Sequence, residues 1–121
     1  MARLRLSLPA QSDLAHILAT SSERWGTAGR ERYATVLAAA LRQVAAEPEG
    51  SPTRSRDDIL LGIRSFHLCH VRGGDPKLKV RQPAHILHYR AVAPDLIEIV
   101  RVRHERMEPS QRVSGESEHG T

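Results

Sequence analysis

The sequence predicts an α+β domain with one sheet, in which an N-terminal strand and a helical hairpin precede a three-stranded antiparallel meander. Three observations favour this class: leucines that alternate with polar residues near the N-terminus, apolar stripes at three- and four-residue spacing after them, and three strand-like segments in the second half. Helices and later strands are separated along the chain, which is typical of a helical layer packed on an antiparallel sheet.

The first element is a strand from Arg3 to Leu8. Leu4, Leu6 and Leu8 fall on one side and polar residues on the other, the two-residue period of a half-buried strand. Pro9 fits the first turn of a helix, where a missing N–H costs nothing.

Two helices follow with a very short connection. Gly26 is a plausible helix stop and Thr27 a plausible N-cap, so the pair forms a hairpin. The stripe of the first helix is Leu14, Ile17, Leu18 and Trp25, and that of the second is Tyr33, Val36, Leu37, Ala40, Leu41 and Val44.

The second half contains the meander. Glu47 to Asp58 holds prolines and a glycine without an apolar run, which indicates an exposed loop. The strands are expected at Ile63 to Val71, Ala84 to Val92 and Leu96 to His104. The last is apolar on both sides of its middle, as expected for a central strand covered by helices on both faces.

A single domain over residues 1–113 is expected. Within it, Arg72 to Pro83 is glycine-rich at its start and basic, which predicts a hairpin insertion or loop. The small polar residues 114–121 predict a disordered tail.

Composition narrows the function classes. Eighteen Lys and Arg against fourteen Asp and Glu give a formal charge of +4, which suits an acidic partner. Aromatic residues make up 3%, so a base-stacking module is disfavoured. The sequence has no apolar run long enough for a membrane span or a signal peptide, and we expect a cytoplasmic protein without membrane association. The lone Cys69 agrees with a reducing compartment.

No metal or cofactor is expected. Candidate ligands cluster in two predicted strands, but alternation places His67 and Cys69 on one face and His70 on the other, and it separates His85 from His88 in the same way. The sequence also lacks the common nucleotide-binding, nucleophile-elbow and zinc-protease motifs.

Several phrases occur in a characteristic order. SERWG and AGRERY lie at the helix junction, GIRSF opens the second strand, HILHYRAV fills the third, and IEIVRVRHERMEP fills the fourth and its exit. In this order the chain resembles ParE-like toxins of the RelE/ParE superfamily. The stretch from residue 72 to 83 is longer than the hairpin turn usual in that family.

The resemblance implies a RelE/ParE-like fold and the toxin of a type II toxin-antitoxin system. Such a toxin arrests growth by interfering with DNA gyrase and is neutralised by a cognate antitoxin. The nuclease branch of the superfamily, which cleaves mRNA on the ribosome, is the alternative.

Nuclease chemistry needs cations together with an acid and a base. Candidates exist, but nuclease members of the superfamily often carry a tyrosine or a comparable acid-base group near the C-terminus, and here no tyrosine follows Tyr89. The resemblance therefore favours an inhibitory binding protein without catalysis. Direct nucleic-acid binding stays open. The cation candidates are Arg64, Arg90 and Arg106, and the acid-base candidates are His88 and His104.

Two sets of binding residues are predicted. Residues 104–112 leave the last strand as an exposed cationic exit, and the target-binding candidates are Arg90, His104, Arg106 and Met107. An antitoxin that adds a strand or an amphipathic helix would dock on Trp25, Tyr33 and Leu37. The structural alternatives are that Arg64 and Arg90 bridge strands or bind the C-terminal carbonyls, and that Met107 plugs the sheet edge. For the docking residues the alternative is sealed core between the helices and the sheet, which holds for Trp25, Tyr33 and Leu37 alike.

Overall fold

The computed structural model describes residues 1–72, 80 and 83–107. Nearly all of the predicted 72–83 insertion and the whole of the predicted 114–121 tail lie outside these residues. The elements in chain order are β1 (Arg3–Leu6), α1 (Leu8–Ala46), β2 (Arg54–Ser55), β3 (Arg64–His67), a 3-10 turn (Leu68–His70), β4 (His85–Ala93), β5 (Leu96–His104) and a final 3-10 turn (Glu105–Met107).

Helix α1 folds back on itself at Gly26. This residue has φ 72° and ψ −173°, a conformation that is essentially restricted to glycine. As one straight helix, its 39 residues would span about 58 Å. Yet both ends of α1 lie beside the four-residue β1. The N-cap residue Ser7 follows the end of β1 and donates its N–H to Ile99 O, while Ala2 N–H, at the start of β1, donates to Ala45 O in the last turn of α1. Two antiparallel arms, residues 8–25 and 27–46, therefore form the predicted hairpin.

Within the part of the chain that the structure describes, the sheet has five strands in the order β1-β5-β4-β3-β2. The predicted antiparallel meander β3-β4-β5 is confirmed, and β1 adds to β5 in parallel. The expectation of a wholly exposed loop after α1 was wrong. The loop contributes the edge strand β2, and Thr53 and Arg56 on either side of it are buried.

Strand β3 is shorter than the sequence pattern predicts. The His67 ring accepts a hydrogen bond from Cys69 N–H through Nδ1 and caps a 3-10 turn, so Cys69 and His70 leave the strand. The face assignment for these two residues was therefore wrong. Within the described ranges, no group of three or more His, Cys, Asp or Glu side chains is placed to hold a metal ion.

The apolar run in β5 had suggested that helices cover both faces of this strand. Among the described residues they do not, and the run has a different cause. His88 pairs with Arg101 and Tyr89 with Ile99, so Val100 is an extra residue in a β-bulge. The extra residue shifts the alternation, and Val102 joins Ile97 and Ile99 in one core.

That core lies between the two arms of α1 and the sheet. Its buried members are Ala10, Ile17, Tyr33, Leu37, Ala40 and Val44 from α1, and Phe66, Leu68, Leu87, Tyr89, Ile97, Ile99 and Val102 from the sheet side. Among the described residues, no helix is both long and apolar enough to cross a membrane.

Candidate functional site

A groove of about 820 Å³ runs between the two arms of α1 and the end of the sheet where β4 begins and β5 ends. Both arms contribute to it, the first through residues from Asp13 to Trp25 and the second through Gly29, Arg32 and Tyr33. The sheet side is formed by Ala84, His85 and the last residues of β5, followed by Met107. A groove of this size suits a peptide segment or a ligand of comparable volume.

One wall of the groove is an open strand edge. Strand β1 ends at Leu6, opposite Ile99, and among the described residues no other strand neighbours the second half of β5 on that side. Glu105 N–H donates a hydrogen bond to Ala84 O. Hydrogen-bonded and non-hydrogen-bonded residue pairs alternate along an antiparallel ladder, so Val102 and His104 fall in non-hydrogen-bonded pairs and their backbone groups point away from β4. Such an edge is available for pairing with another chain.

The Asp13 carboxylate occupies part of this edge. It accepts a hydrogen bond from Val102 N–H at 2.9 Å, as a carbonyl of a neighbouring strand would. Arg101 holds the same carboxylate in a two-point contact at 2.8 and 2.9 Å. Partial burial acts to raise the pKa of Asp13, but the hydrogen bonds from Arg101 and Val102 and the charges of Arg101 and Arg103 outweigh it and lower the pKa.

Arginines line the groove around apolar side chains. Arg24, Arg32 and Arg103 make no ion pair within the part of the chain that the structure describes. The Nε atom of Arg103 is buried and has no hydrogen-bond partner among those residues. Arg24 lies 5.9 Å from the ring centre of Trp25, which is 59% exposed. The groove therefore combines positive charge with accessible apolar surface.

The buried Tyr33 and the half-buried His85 form a hydrogen-bonded pair at the floor of the groove. The Tyr33 hydroxyl accepts a hydrogen bond from Ala84 N–H at 3.2 Å, which leaves its own proton for His85 Nδ1 at 2.5 Å. Burial lowers the pKa of His85 to about 4, with a further lowering by the charge of His104, so the ring is neutral near pH 7. Burial also raises the pKa of Tyr33.

The structure brings four of the seven predicted binding residues together. Trp25, Tyr33, His104 and Met107 all line the groove, although they were assigned to different partners. Arg106 is exposed in the turn between His104 and Met107.

The other two predicted residues lie elsewhere. Arg90 is ion-paired with Glu98 at 2.9 Å, roughly 16 Å farther along β4 than His85, so the expected patch of Arg90 with His104 and Arg106 does not form. Leu37 is 3% exposed in the core and does not line the groove. Its placement among docking residues was wrong, because the second arm turns this position toward the sheet.

Sequence reasoning missed several groove residues. Arg101 and Arg103 stand in the quoted IEIVRVRH phrase, and their alternation with valines is a usable signal. Asp13 and Arg32 have no local signal, because each is one charged residue on a helix and its role depends on contacts distant in sequence.

The predicted nuclease candidates are not assembled into one site. Arg64 donates to Thr53 at 2.7 Å, Arg90 pairs with Glu98, and His88 is buried at 5% exposure. His104 Nδ1 accepts a hydrogen bond from Arg106 N–H.

The fold and the groove define a small α+β domain with a basic peptide-sized groove beside a strand edge. The family model described as "ParE toxin of type II toxin-antitoxin system, parDE" matches residues 4–109. The chain belongs to this family and is a ParE-type toxin of a toxin-antitoxin system, as its resemblance to ParE-like members of the RelE/ParE superfamily implied.

Two relatives and one solved structure support this assignment. Toxin ParE1 of Mycobacterium tuberculosis, in strains CDC 1551 / Oshkosh and H37Rv, is 32% identical over 106 residues, which cover 88% of this chain and 92% of the relative. A structure titled "Chromosomal ParDE TA system from P. aeruginosa" matches with a TM-score of 0.53 at 18% identity, covering 86% of this chain and 96% of that one. The structural match supports the fold alone.

Proposed function

We propose that this toxin arrests bacterial growth by binding DNA gyrase without catalysing a reaction, and that a cognate antitoxin neutralises it by filling the groove. The observation that carries the proposal is the groove itself, where residues expected to contact the target and residues expected to contact the antitoxin share one surface. Binding of one partner would then exclude the other. Action on gyrase also implies a cytoplasmic site of action.

The geometry of the groove favours a protein segment as the neutralising partner. An amphipathic helix would lie between the arms of α1, with apolar side chains on Ile17 and Trp25 and acidic side chains near Arg32 and Arg103. An extended segment would pair with the open edge of β5. Either mode requires an acidic and partly apolar antitoxin segment, which complements the formal charge of +4.

The state of the groove residues supports binding rather than RNA cleavage. A general base works best with a pKa near the working pH, whereas that of His85 lies at about 4. The Tyr33 hydroxyl is engaged by both Ala84 and His85. The candidate cations Arg64 and Arg90 are held in other parts of the sheet. Together these favour an inhibitory binding protein.

The deciding experiment tests both mechanisms with the same purified toxin. One arm measures trapped DNA cleavage complexes with gyrase, and the other follows mRNA integrity in a translating extract. We expect cleavage complexes with gyrase and intact mRNA. Cleaved mRNA together with unaffected gyrase would contradict the proposal and support the ribosome-dependent endoribonuclease.

A further inference from the structure

The turn that follows β5 is bonded to two other parts of the fold, β3 and the residue that precedes β4. We call this turn, Glu105–Met107, the exit turn. A short turn after the last strand would ordinarily fray. Here its first residue, Glu105, is bonded through both its backbone and its side chain.

The side-chain bond comes from β3. His67 Nδ1 accepts from Cys69 N–H at 3.0 Å, so the ring proton is on Nε2, and His67 Nε2 donates it to the Glu105 carboxylate at 2.8 Å. This hydrogen bond lowers the pKa of Glu105, burial opposes the shift, and nearby positive charge, including that of Arg106, adds to it. Glu105 is therefore an ionised acceptor at neutral pH.

The backbone bond leads to α1. Glu105 N–H donates to Ala84 O at 2.8 Å, and Ala84 N–H donates to the buried Tyr33 hydroxyl at 3.2 Å. The same hydroxyl is bonded to His85, whose ring contacts that of His104 edge-on at 5.3 Å between centroids. Ala84, which accepts the hydrogen bond of the exit turn, is thereby tied to the second arm of α1.

The turn also has an internal bond. Arg106 N–H donates to His104 Nδ1 at 3.0 Å, which fixes the backbone between the end of β5 and Met107. The Arg106 side chain is exposed, and Met107 is 46% exposed at the mouth of the groove. Both are thus presented on an ordered backbone.

We infer that His67 and Tyr33 are positioning residues, which hold the exit turn in one conformation so that Arg106 and Met107 meet the target already ordered. An ordered contact surface loses less conformational entropy on binding, and affinity rises accordingly. The inference rests on the proposed function, because the target is the gyrase proposed above.

The test compares His67→Ala with His67→Gln in the full chain. Glutamine keeps an N–H donor for Glu105 and alanine does not. Alanine removes the bond to the Glu105 carboxylate and also the acceptor of Cys69 N–H. For His67→Ala we expect about ten-fold faster amide hydrogen exchange at residues 105–107 and about ten-fold weaker gyrase inhibition, the loss expected when the hydrogen bond to the charged group is removed. His67→Gln should restore most of both. Unchanged exchange at Leu87 and Ile99 in the core verifies the fold.

A second variant tests the other anchor. Tyr33→Phe keeps the ring in the core and removes only the hydroxyl, so we expect faster exchange at Ala84 and Glu105 together with weaker inhibition. Asp95→Asn, at the opposite end of β5, should leave both readouts unchanged.

Two results would overturn the inference. One is an exit turn whose amides exchange equally slowly in His67→Ala and in the unaltered chain. The other is His67→Ala with faster exchange but full inhibition, because order in the turn would then be irrelevant to binding. If the unaltered chain does not inhibit gyrase, the proposed function fails, while the exchange comparison still decides whether His67 orders the turn.

Discussion

Replacing Asp13 by alanine removes the carboxylate that occupies the open edge of β5. Three hydrogen bonds are lost, two from Arg101 and one from Val102 N–H. The Arg101 side chain is 40% exposed, so the ion pair itself contributes less than about 1 kcal/mol. Leaving the N–H of the buried Val102 without its acceptor costs roughly 1–2 kcal/mol. We expect a loss of about 2 kcal/mol in the free energy of unfolding, or about 8 °C in Tm.

Urea unfolding followed by circular dichroism measures this loss, and the chain offers a matched control. Asp95 forms an ion pair with Arg3 through one contact at 3.3 Å, and the two side chains are 68% and 71% exposed. Asp95→Ala should therefore cost less than about 0.5 kcal/mol. Equal losses in the two variants would refute the reasoning that the backbone contact and burial of Asp13 set its contribution.

The same pair of proteins has a defined pH dependence. The native pKa of Asp13 is lowered below its usual value of 3.8, so its stabilisation is complete above that value and is lost as the pH falls through the native pKa. The difference in stability between the unaltered chain and Asp13→Ala should shrink from pH 6 to pH 2. A constant difference over that range would contradict the assignment of an ionised Asp13.

Three further predictions concern the turn of the hairpin, the floor of the groove and its charge. Gly26→Ala should lower the free energy of unfolding by about 1–3 kcal/mol. No atom lies within 4 Å of a Cβ added there, so the cost is the strain of a positive φ alone. An unchanged urea midpoint would contradict the sharp turn. NMR should show His85 titrating near pH 4. The protein should lose stability as the pH falls from 6.5 to 4, because the histidine of the unfolded chain binds its proton at a higher pH than that of the folded protein. A His85 titration midpoint near pH 6.5 would argue against its burial. Arg103→Glu should weaken antitoxin binding by about ten-fold or more in calorimetry, whereas Arg90→Glu, remote from the groove, should leave it nearly unchanged; equal effects would count against the groove.

Much of the fold could be predicted because the decisive signals are local. The alternation in β1, the stripes of α1 and the turn before β5 depend on neighbouring residues, and each led to the correct element. The extension of the first strand to Leu8 was wrong, because β1 ends at Leu6 and Leu8 is an exposed residue at the start of α1. Strand β2 could not be found in this way, since Arg54 and Ser55 lie in a polar stretch and become a strand only by pairing with β3. The bulge at Val100 was hidden for a related reason, because one extra residue makes a one-sided apolar strand look two-sided.

The site was harder to predict than the fold. Tyr33 and His85 are 52 residues apart in sequence, and Asp13 meets Arg101 across 88 residues, so no spacing rule brings either pair together. The sequence did identify Trp25, His104 and Met107 as binding candidates, but it divided the groove between two partners. Leu37 illustrates the reverse error, because a residue on a helical stripe can face a groove or the core and the spacing is the same.

The central proposal, that gyrase and the antitoxin compete for one surface, is tested most directly by gyrase supercoiling with the toxin alone and with the toxin first mixed with its antitoxin. We expect the toxin alone to inhibit supercoiling and an equimolar antitoxin to abolish the inhibition, with no gyrase retained on the toxin-antitoxin complex. A complex that still binds gyrase while the antitoxin fills the groove would contradict the proposal of a shared surface.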